Sequence, residues 1–211
     1  MTILYDYWRS SAAYRVRIGL GLAGIAHERV AVNLLTGENR QPAHLARNPQ
    51  GLVPALEIDG QMLTQSLAIL EYLDETRAAG FLPKDPAGRA RVRALAYAVA
   101  MEIHPVCNSS VARFAVEASA GAITTEAWMA KFIPRGMAAL EEMLNHPGTG
   151  RFCHGESVSL ADICLVPQLY NARRWGIDPA PWRRCLDIEA RLLALPAVAA
   201  AHPDHFNPET P

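Results

Sequence analysis

Long apolar runs, an excess of basic charge and paired cysteines are all missing from this sequence. The longest uninterrupted apolar stretch, Ala94 to Met101, is eight residues, far short of the ~20 that a membrane-spanning helix needs. Lys+Arg number 20 against 21 Asp+Glu, a formal charge of -1, so there is no global basic field for nucleic acid or an anionic membrane. Any anion must be held locally. The four cysteines, Cys107, Cys153, Cys164 and Cys185, form no CxxC pair and have no histidine at zinc spacing. Neither a disulfide framework nor a metal site is expected, and the thiols are expected to be free and buried. The first residues, MTILYDYWRSS, lack the basic and apolar regions of a secretion signal, so a cytoplasmic location is expected.

What is present is material for a full core. Half of the 211 residues are hydrophobic and 19% are charged, which excludes a disordered chain and fits one large domain or two compact halves. Ile3 to Tyr7 is expected to form a first strand and Glu28 to Val32 a second. Between them Tyr14, Val16, Ile18, Leu20 and Leu22 alternate with Arg15, Arg17, Gly19 and Gly21, a period of two that suggests another strand. Against that stand Ser10 as an N-cap, Gly24 as a C-terminal stop and the i, i+4 pairs Tyr14/Ile18/Leu22 and Val16/Leu20, which predict a helix. A βαβ opening follows.

After a short helix around Pro42 to Arg47, the run from Pro54 to Leu63 predicts a hairpin turning at Asp59-Gly60, where a type I′ turn needs positive φ. Ser66 then starts a helix ending near Arg77 to Gly80. Leu82-Pro83-Lys84-Asp85-Pro86 is a two-proline linker. Beyond it the signals are helical only: about Ala87 to Val116, Thr124 to Leu144, Ser159 to Trp175 and Ile188 to Leu195, with kinks at Pro105, Pro134 and Pro167. The expected division is residues 1–81, a linker at 82–86 and an all-helical domain at 87–211. The tail from His202 to Pro211 is expected to be extended or loose.

Three short segments are candidates for chemistry. Trp8-Arg9-Ser10-Ser11 falls where a strand ends and a helix begins, so a hydroxyl there can cap the helix or donate to an incoming anion such as a thiolate. Gln65-Ser66 opens another helix and offers a hydroxyl, backbone N–H groups and an amide to a carboxylate, or again only a cap. Val53-Pro54, after Asn48-Pro49-Gln50-Gly51, is a candidate cis peptide that would expose the Val53 backbone to strand-like pairing with a peptide ligand.

Together these elements resemble the soluble glutathione transferases: an α/β, thioredoxin-like glutathione-binding domain followed by an all-α domain, with Ser159-Leu-Ala-Asp162 as a capping box in the second. More narrowly, YWRSSAAYRVRIGL (Tyr7 to Leu20), NPQGLVPALEIDG (Asn48 to Gly60), QSLAILEYLDETR (Gln65 to Arg77) and SLADICLVPQLYNARRWGID (Ser159 to Asp178) resemble the zeta class, whose members include maleylacetoacetate and maleylpyruvate isomerases. The resemblance implies glutathione as cofactor, a small dicarboxylic acid as substrate, a homodimer, and no nucleic acid or membrane partner. It also implies roles for individual residues: Ser10 as donor to the glutathione sulfur, and Arg9 and Arg174 as clamps on substrate carboxylates. Ser11, Gln50, Val53, Gln65 and Ser66 are implied to hold the cofactor, and His104 and Asn108, one turn apart and so expected on one helical face, are implied to border the site. Arg173 and Arg174 are about 100° apart on a helix, so only one can enter a given cleft, and the resemblance selects Arg174.

Two departures refine this expectation. The class usually reads Ser-Ser-Cys where this sequence has Ala12, which argues against chemistry that needs a protein thiol and leaves isomerisation possible through the serine alone. Some maleylpyruvate isomerases also lack the cysteine but carry Arg-Arg after the helical asparagine. Here Asn108 is followed by Ser109-Ser110, which favours maleylacetoacetate. The competing readings are a general conjugating or peroxidase-type transferase, whose cleft would be apolar, and a non-catalytic binding protein, which would not need Ser10 or Gln65-Ser66.

Overall fold

The computed structural model describes residues 1–208. Packing divides the chain into two units: Met1–Phe81 together with the segment from Leu193 onward, and Leu82–Leu192. The first unit runs β1 (Ile3–Asp6), α1 (Ser11–Leu22), β2 (Glu28–Ala31), a 3-10 turn (Glu38–Arg40), α2 (Pro42–Leu45), β3 (Ala55–Ile58), β4 (Gln61–Thr64) and α3 (Ser66–Arg77). The sheet order is β2-β1-β3-β4. β1 lies parallel to β2 with Ile3 opposite Glu28, and antiparallel to β3 with Leu4 opposite Leu56. Asp59 and Gly60 turn the β3–β4 hairpin at φ 53° and 73°, the positive values the turn requires.

The helical reading of 11–22 holds, and the structure explains the misleading period of two. α1 is buried along nearly its whole length, Ser11 and Ala13 to Leu20 included, so no solvent face remains to impose a 3.6-residue stripe. Ser10 caps its start, accepting from the Ala13 N–H at 3.2 Å. Its end is a Schellman motif: Gly24, at φ 66°, donates to Gly21, and Ile25 donates to Leu20. Close approach needs a missing side chain at Gly19, where a Cβ would lie 2.1 Å from Leu70 Cδ2 on α3.

The second unit contains α4 (Pro86–Tyr97), a π-helical stretch (Ala98–Ile103), α5 (His104–Val106), α6 (Ser109–Ala118), α7 (Thr125–Met143), α8 (Leu160–Arg174) and α9 (Arg183–Leu193, whose last residue is grouped with the first unit). The helix expected over Ala87 to Val116 is thus several pieces. The π stretch comes just before Pro105, which has no N–H for the carbonyl of Met101, and Asn108 leaves helical geometry at φ -66°, ψ 139° to cap α6. α7 and α8 run through Pro134 and Pro167 uninterrupted. Asp162 accepts from Ser159 N at 2.8 Å and from Cys153 N at 2.8 Å, so the expected capping box also ties down the preceding loop.

Two expectations about the C-terminal part are corrected. The helix expected over Ile188 to Leu195 begins at Arg183, because Glu141 of α7 accepts from the backbone N–H groups of Arg184 and Cys185 at 3.0 and 3.1 Å and caps it. The tail expected to be loose from His202 instead forms a 3-10 turn (Pro203–Phe206), and just before it α10 (Pro196–Ala200) packs on α1. This places the segment from Leu193 onward with the first unit and not in a helical domain spanning 87–211. The expectation for 209–211 lies outside the described residues. Among the described residues no helix is long and apolar enough to cross a membrane, and no group of His, Cys, Asp and Glu could hold a metal ion.

Candidate functional site

In the first unit the turn between β1 and α1 delivers Arg9, Ser10 and Ser11. Ser10 N donates to the Tyr7 carbonyl at 2.9 Å, which closes the turn, while the Ser10 oxygen takes the Ala13 N–H. Capping uses that oxygen as an acceptor and leaves the hydroxyl proton available. Capping and donation are therefore compatible at Ser10. Ser11, buried in the first turn of α1, stands about 100° further round. Arg9 is half-buried with its guanidinium 5.1 Å from the Trp8 ring centroid, and it has no carboxylate partner among the described residues.

The second cluster lies at the start of α3. Gln65 is held at φ 69°, ψ 112°, a left-handed value that is uncommon for a residue other than glycine. Its Nε2 donates to Gln50 Oε1 at 2.7 Å. Ser66 is buried, and its oxygen accepts from Arg15 Nη1 at 3.3 Å. The structure thus brings Gln50 to the Gln65-Ser66 pair and adds Arg15, a 2% exposed cation that sequence reasoning missed. An arginine in an apolar helix with no acid on its own face was the available signal. The Val53–Pro54 peptide is cis, and Val53 packs in one cluster with Tyr5, Tyr7 and Ala55, with Trp8 against it.

The second unit holds the other candidates. Arg173 and Arg174 both end α8, before a Schellman turn at Gly176. Arg173 is committed to Glu189, whereas Arg174 is exposed with its guanidinium 4.8 Å from the Trp175 ring centroid. Asn108 is a cap: its Oδ1 accepts from Ser110 N at 3.0 Å and Ser110 Oγ at 2.9 Å. His104 is half-buried at the start of α5, and the expected helical face shared with Asn108 is cut by the break at Cys107. A surface hollow of about 470 Å³ beside α9 has its arginines already engaged, Arg184 by Glu141 and Arg191 by the Arg151 carbonyl.

A thioredoxin-like unit with hydroxyls at the starts of two helices defines a class, and comparison with known proteins agrees. Residues 1–75 match the family "Glutathione S-transferase, N-terminal domain". The chain is 58% identical over 209 residues to the maleylacetoacetate isomerase of Rhizobium meliloti (strain 1021), covering 98% of each. Among solved structures it superposes on a holo maleylpyruvate isomerase, a bacterial zeta-class glutathione S-transferase, with a TM-score of 0.93 and 38% identity, covering 99% of this chain and 100% of the other. It superposes equally on maleylacetoacetate isomerase from Methylobacterium extorquens AM1 with bound malonate and glutathione, at a TM-score of 0.92, 45% identity and 99% of each chain. The chain belongs to the zeta class of the glutathione S-transferase family, the group of maleylacetoacetate and maleylpyruvate isomerases.

Proposed function

We propose that this protein is a glutathione-dependent cis-trans isomerase of a maleyl-type dicarboxylic acid, with maleylacetoacetate the preferred substrate and maleylpyruvate next. The observation that carries the reading is the 58% identity, over 98% of both chains, to a maleylacetoacetate isomerase. Rotation about a C=C bond requires that bond to be opened temporarily. When bound, glutathione supplies the thiolate that adds to the double bond and leaves after rotation.

The chain's own residues do the rest. Ser10 donates a hydrogen bond to the sulfur and stabilises the thiolate form, its oxygen already steadied by the Ala13 N–H. Gln65 and Ser66 hold the γ-glutamyl carboxylate, Gln50 the glycine carboxylate, and Val53 pairs with the cysteinyl backbone. Ser11 lines the first turn of α1, and His104 and Asn108 border the site. Arg9 and Arg174 hold the substrate's carboxylates with forked donors. Those arginines favour a dianion over the apolar electrophiles of a general conjugating enzyme.

Two further parts belong to the proposal: the chain works as a homodimer, and it works in the cytoplasm, where its four free cysteines remain reduced. Light scattering at micromolar concentration should give twice the chain mass. For the activity, maleylacetoacetate, maleylpyruvate and chlorodinitrobenzene should be assayed side by side with glutathione. Isomerisation of maleylacetoacetate should dominate; turnover confined to chlorodinitrobenzene would overturn the reading.

A further inference from the structure

Arg17 lies in α1 about two turns beyond Ser10. It is 2% exposed, and the reaction outlined above does not use it. All three of its side-chain nitrogens are engaged, each with a different part of the chain. Nη1 donates to Asp6 Oδ2 at 2.6 Å, Nη2 to the Trp8 carbonyl at 2.9 Å and Nε to the Ala201 carbonyl at 3.1 Å. Asp6 is fully buried, and its other oxygen takes Arg29 Nε at 2.5 Å. The Phe206 ring covers both guanidinium groups, 4.7 Å from Arg17 and 5.1 Å from Arg29.

Burying a cation is expensive, and a single carboxylate is the cheapest compensation. Here the fork is divided: one arm goes to the residue that ends β1, one to the carbonyl in the middle of the turn that follows, and the third to the segment after α10. The turn so gripped is the one that Ser10 closes by donating to Tyr7. A hydrogen bond weakens steeply once its angle opens or its length exceeds about 3.2 Å, so the Ser10 hydroxyl depends on the turn keeping its shape.

We propose that Arg17 is a positioning residue for the isomerase reaction: by fixing the Trp8 carbonyl it holds Ser10 in line with the glutathione sulfur, and through Ala201 and Phe206 it makes that alignment depend on the C-terminal segment. The proposal rests on Ser10 being the donor to sulfur. Arg17 acts through Trp8 and contacts neither cofactor nor substrate. Lysine at this position keeps the charge, but a point ammonium on a flexible stem cannot hold three separate acceptors in one plane.

The test is the ionisation of the thiol of bound glutathione, followed by thiolate absorbance against pH. Full-length wild type, Arg17→Lys, Phe206→Ala, Ser10→Ala and the Arg17→Lys/Ser10→Ala double variant are compared, each saturated with glutathione. Arg17→Lys should lower the thiol's ionisation constant about three- to tenfold, the coupling expected within one hydrogen-bonded network. Phe206→Ala should move it less, in the same direction, and it decides the question if Arg17→Lys does not fold. In the Ser10→Ala background Arg17→Lys should add nothing, which a merely structural or purely electrostatic role would not produce. If Ser10→Ala moves the constant while Arg17→Lys and Phe206→Ala do not, the positioning role is overturned and the Ser10 assignment stands. An Arg17→Lys effect of equal size with and without Ser10 also overturns it. If Ser10→Ala itself has no effect, the Ser10 assignment fails and this proposal falls with it.

Discussion

Arg173 grips the buried carboxylate of Glu189 with both guanidinium arms, at 2.6 and 2.5 Å. Its neighbour Arg174 is about 100° further round the helix and exposed. Two adjacent arginines should therefore fail in different ways. Arg173→Ala leaves Glu189, 4% exposed, without its cation, and should cost about 1 to 3 kcal/mol of stability with little change in turnover per folded molecule. Arg174→Ala should lower kcat/KM for the diacid about ten- to a hundredfold, the worth of one charge-assisted contact, with glutathione affinity unchanged. Thermal melts and steady-state kinetics on both variants check this; unaltered kcat/KM in Arg174→Ala would return that residue to the solvated helix end.

At Ser10 the cap and the chemistry can be separated. Ser10→Ala loses the bond from Ala13 N and should cost about 1 kcal/mol of stability, whereas Ser10→Gly should cost only a few tenths. Both remove the donor, so both should raise the pKa of bound glutathione by about one to two units. Ser11→Ala should do much less. An ultraviolet titration of each variant with glutathione is the measurement, and a normal pKa in Ser10→Gly would leave the serine as a cap alone.

The four cysteines should be spectators. All are buried and free. Burial pushes the Cys107 thiol up to about 11 and the thiols of Cys153 and Cys185 well above their ordinary value, so near neutral pH almost none is the reactive thiolate. Iodoacetamide at pH 7.5 should leave the native chain unlabelled by mass spectrometry, and Cys107→Ala should keep activity within a few-fold. A folded Cys107→Ala protein without activity would contradict this.

Acid should loosen the start of α9 through Glu141. Burial raises the pKa of this carboxylate, but the bonds from Arg184 and Cys185 lower it more, so it sits below its ordinary value of 4.5. The native state therefore prefers the charged form. The contribution is complete above that ordinary value and is lost as pH falls through the lower folded one. Glu141→Gln should cost about 1 kcal/mol at pH 7, and the gap from wild type should shrink as the pH falls below that ordinary value. Urea unfolding at pH 7 and pH 3.5 measures it; an equal gap at both would show that the charge is not what caps the helix.

Much of this architecture was legible because local chemistry and tertiary structure agree. Ser10, Gly24, Asp59-Gly60 and Thr124 each mark an element boundary through a backbone conformation that few other residues serve as well, and each boundary lies where expected. What escaped was set by partners distant in the chain. Arg15 and Arg17 look like the solvent side of a strand until Ser66 and Asp6 are found opposite them. The true start of α9 depends on Glu141, over forty residues earlier. The opposite error occurred at Asn108, where the spacing from His104 suggested a shared helical face, but the side chain is spent capping the next helix.

The return of α10 to α1 has a consequence for how this protein is made. Arg17 finds the Ala201 carbonyl 184 positions away, and a Cβ at Gly21 would stand 3.2 Å from the Ala197 carbonyl oxygen, a tight approach. Until residues 193–206 have been synthesised, the helix carrying Ser10 has one flank bare and the Arg17 guanidinium lacks its third acceptor. Contacts of such long sequence separation form late and slowly. The N-terminal unit is therefore the first to leave the ribosome and among the last to be complete, and the turn that presents Ser10 takes its final shape only when that late segment arrives.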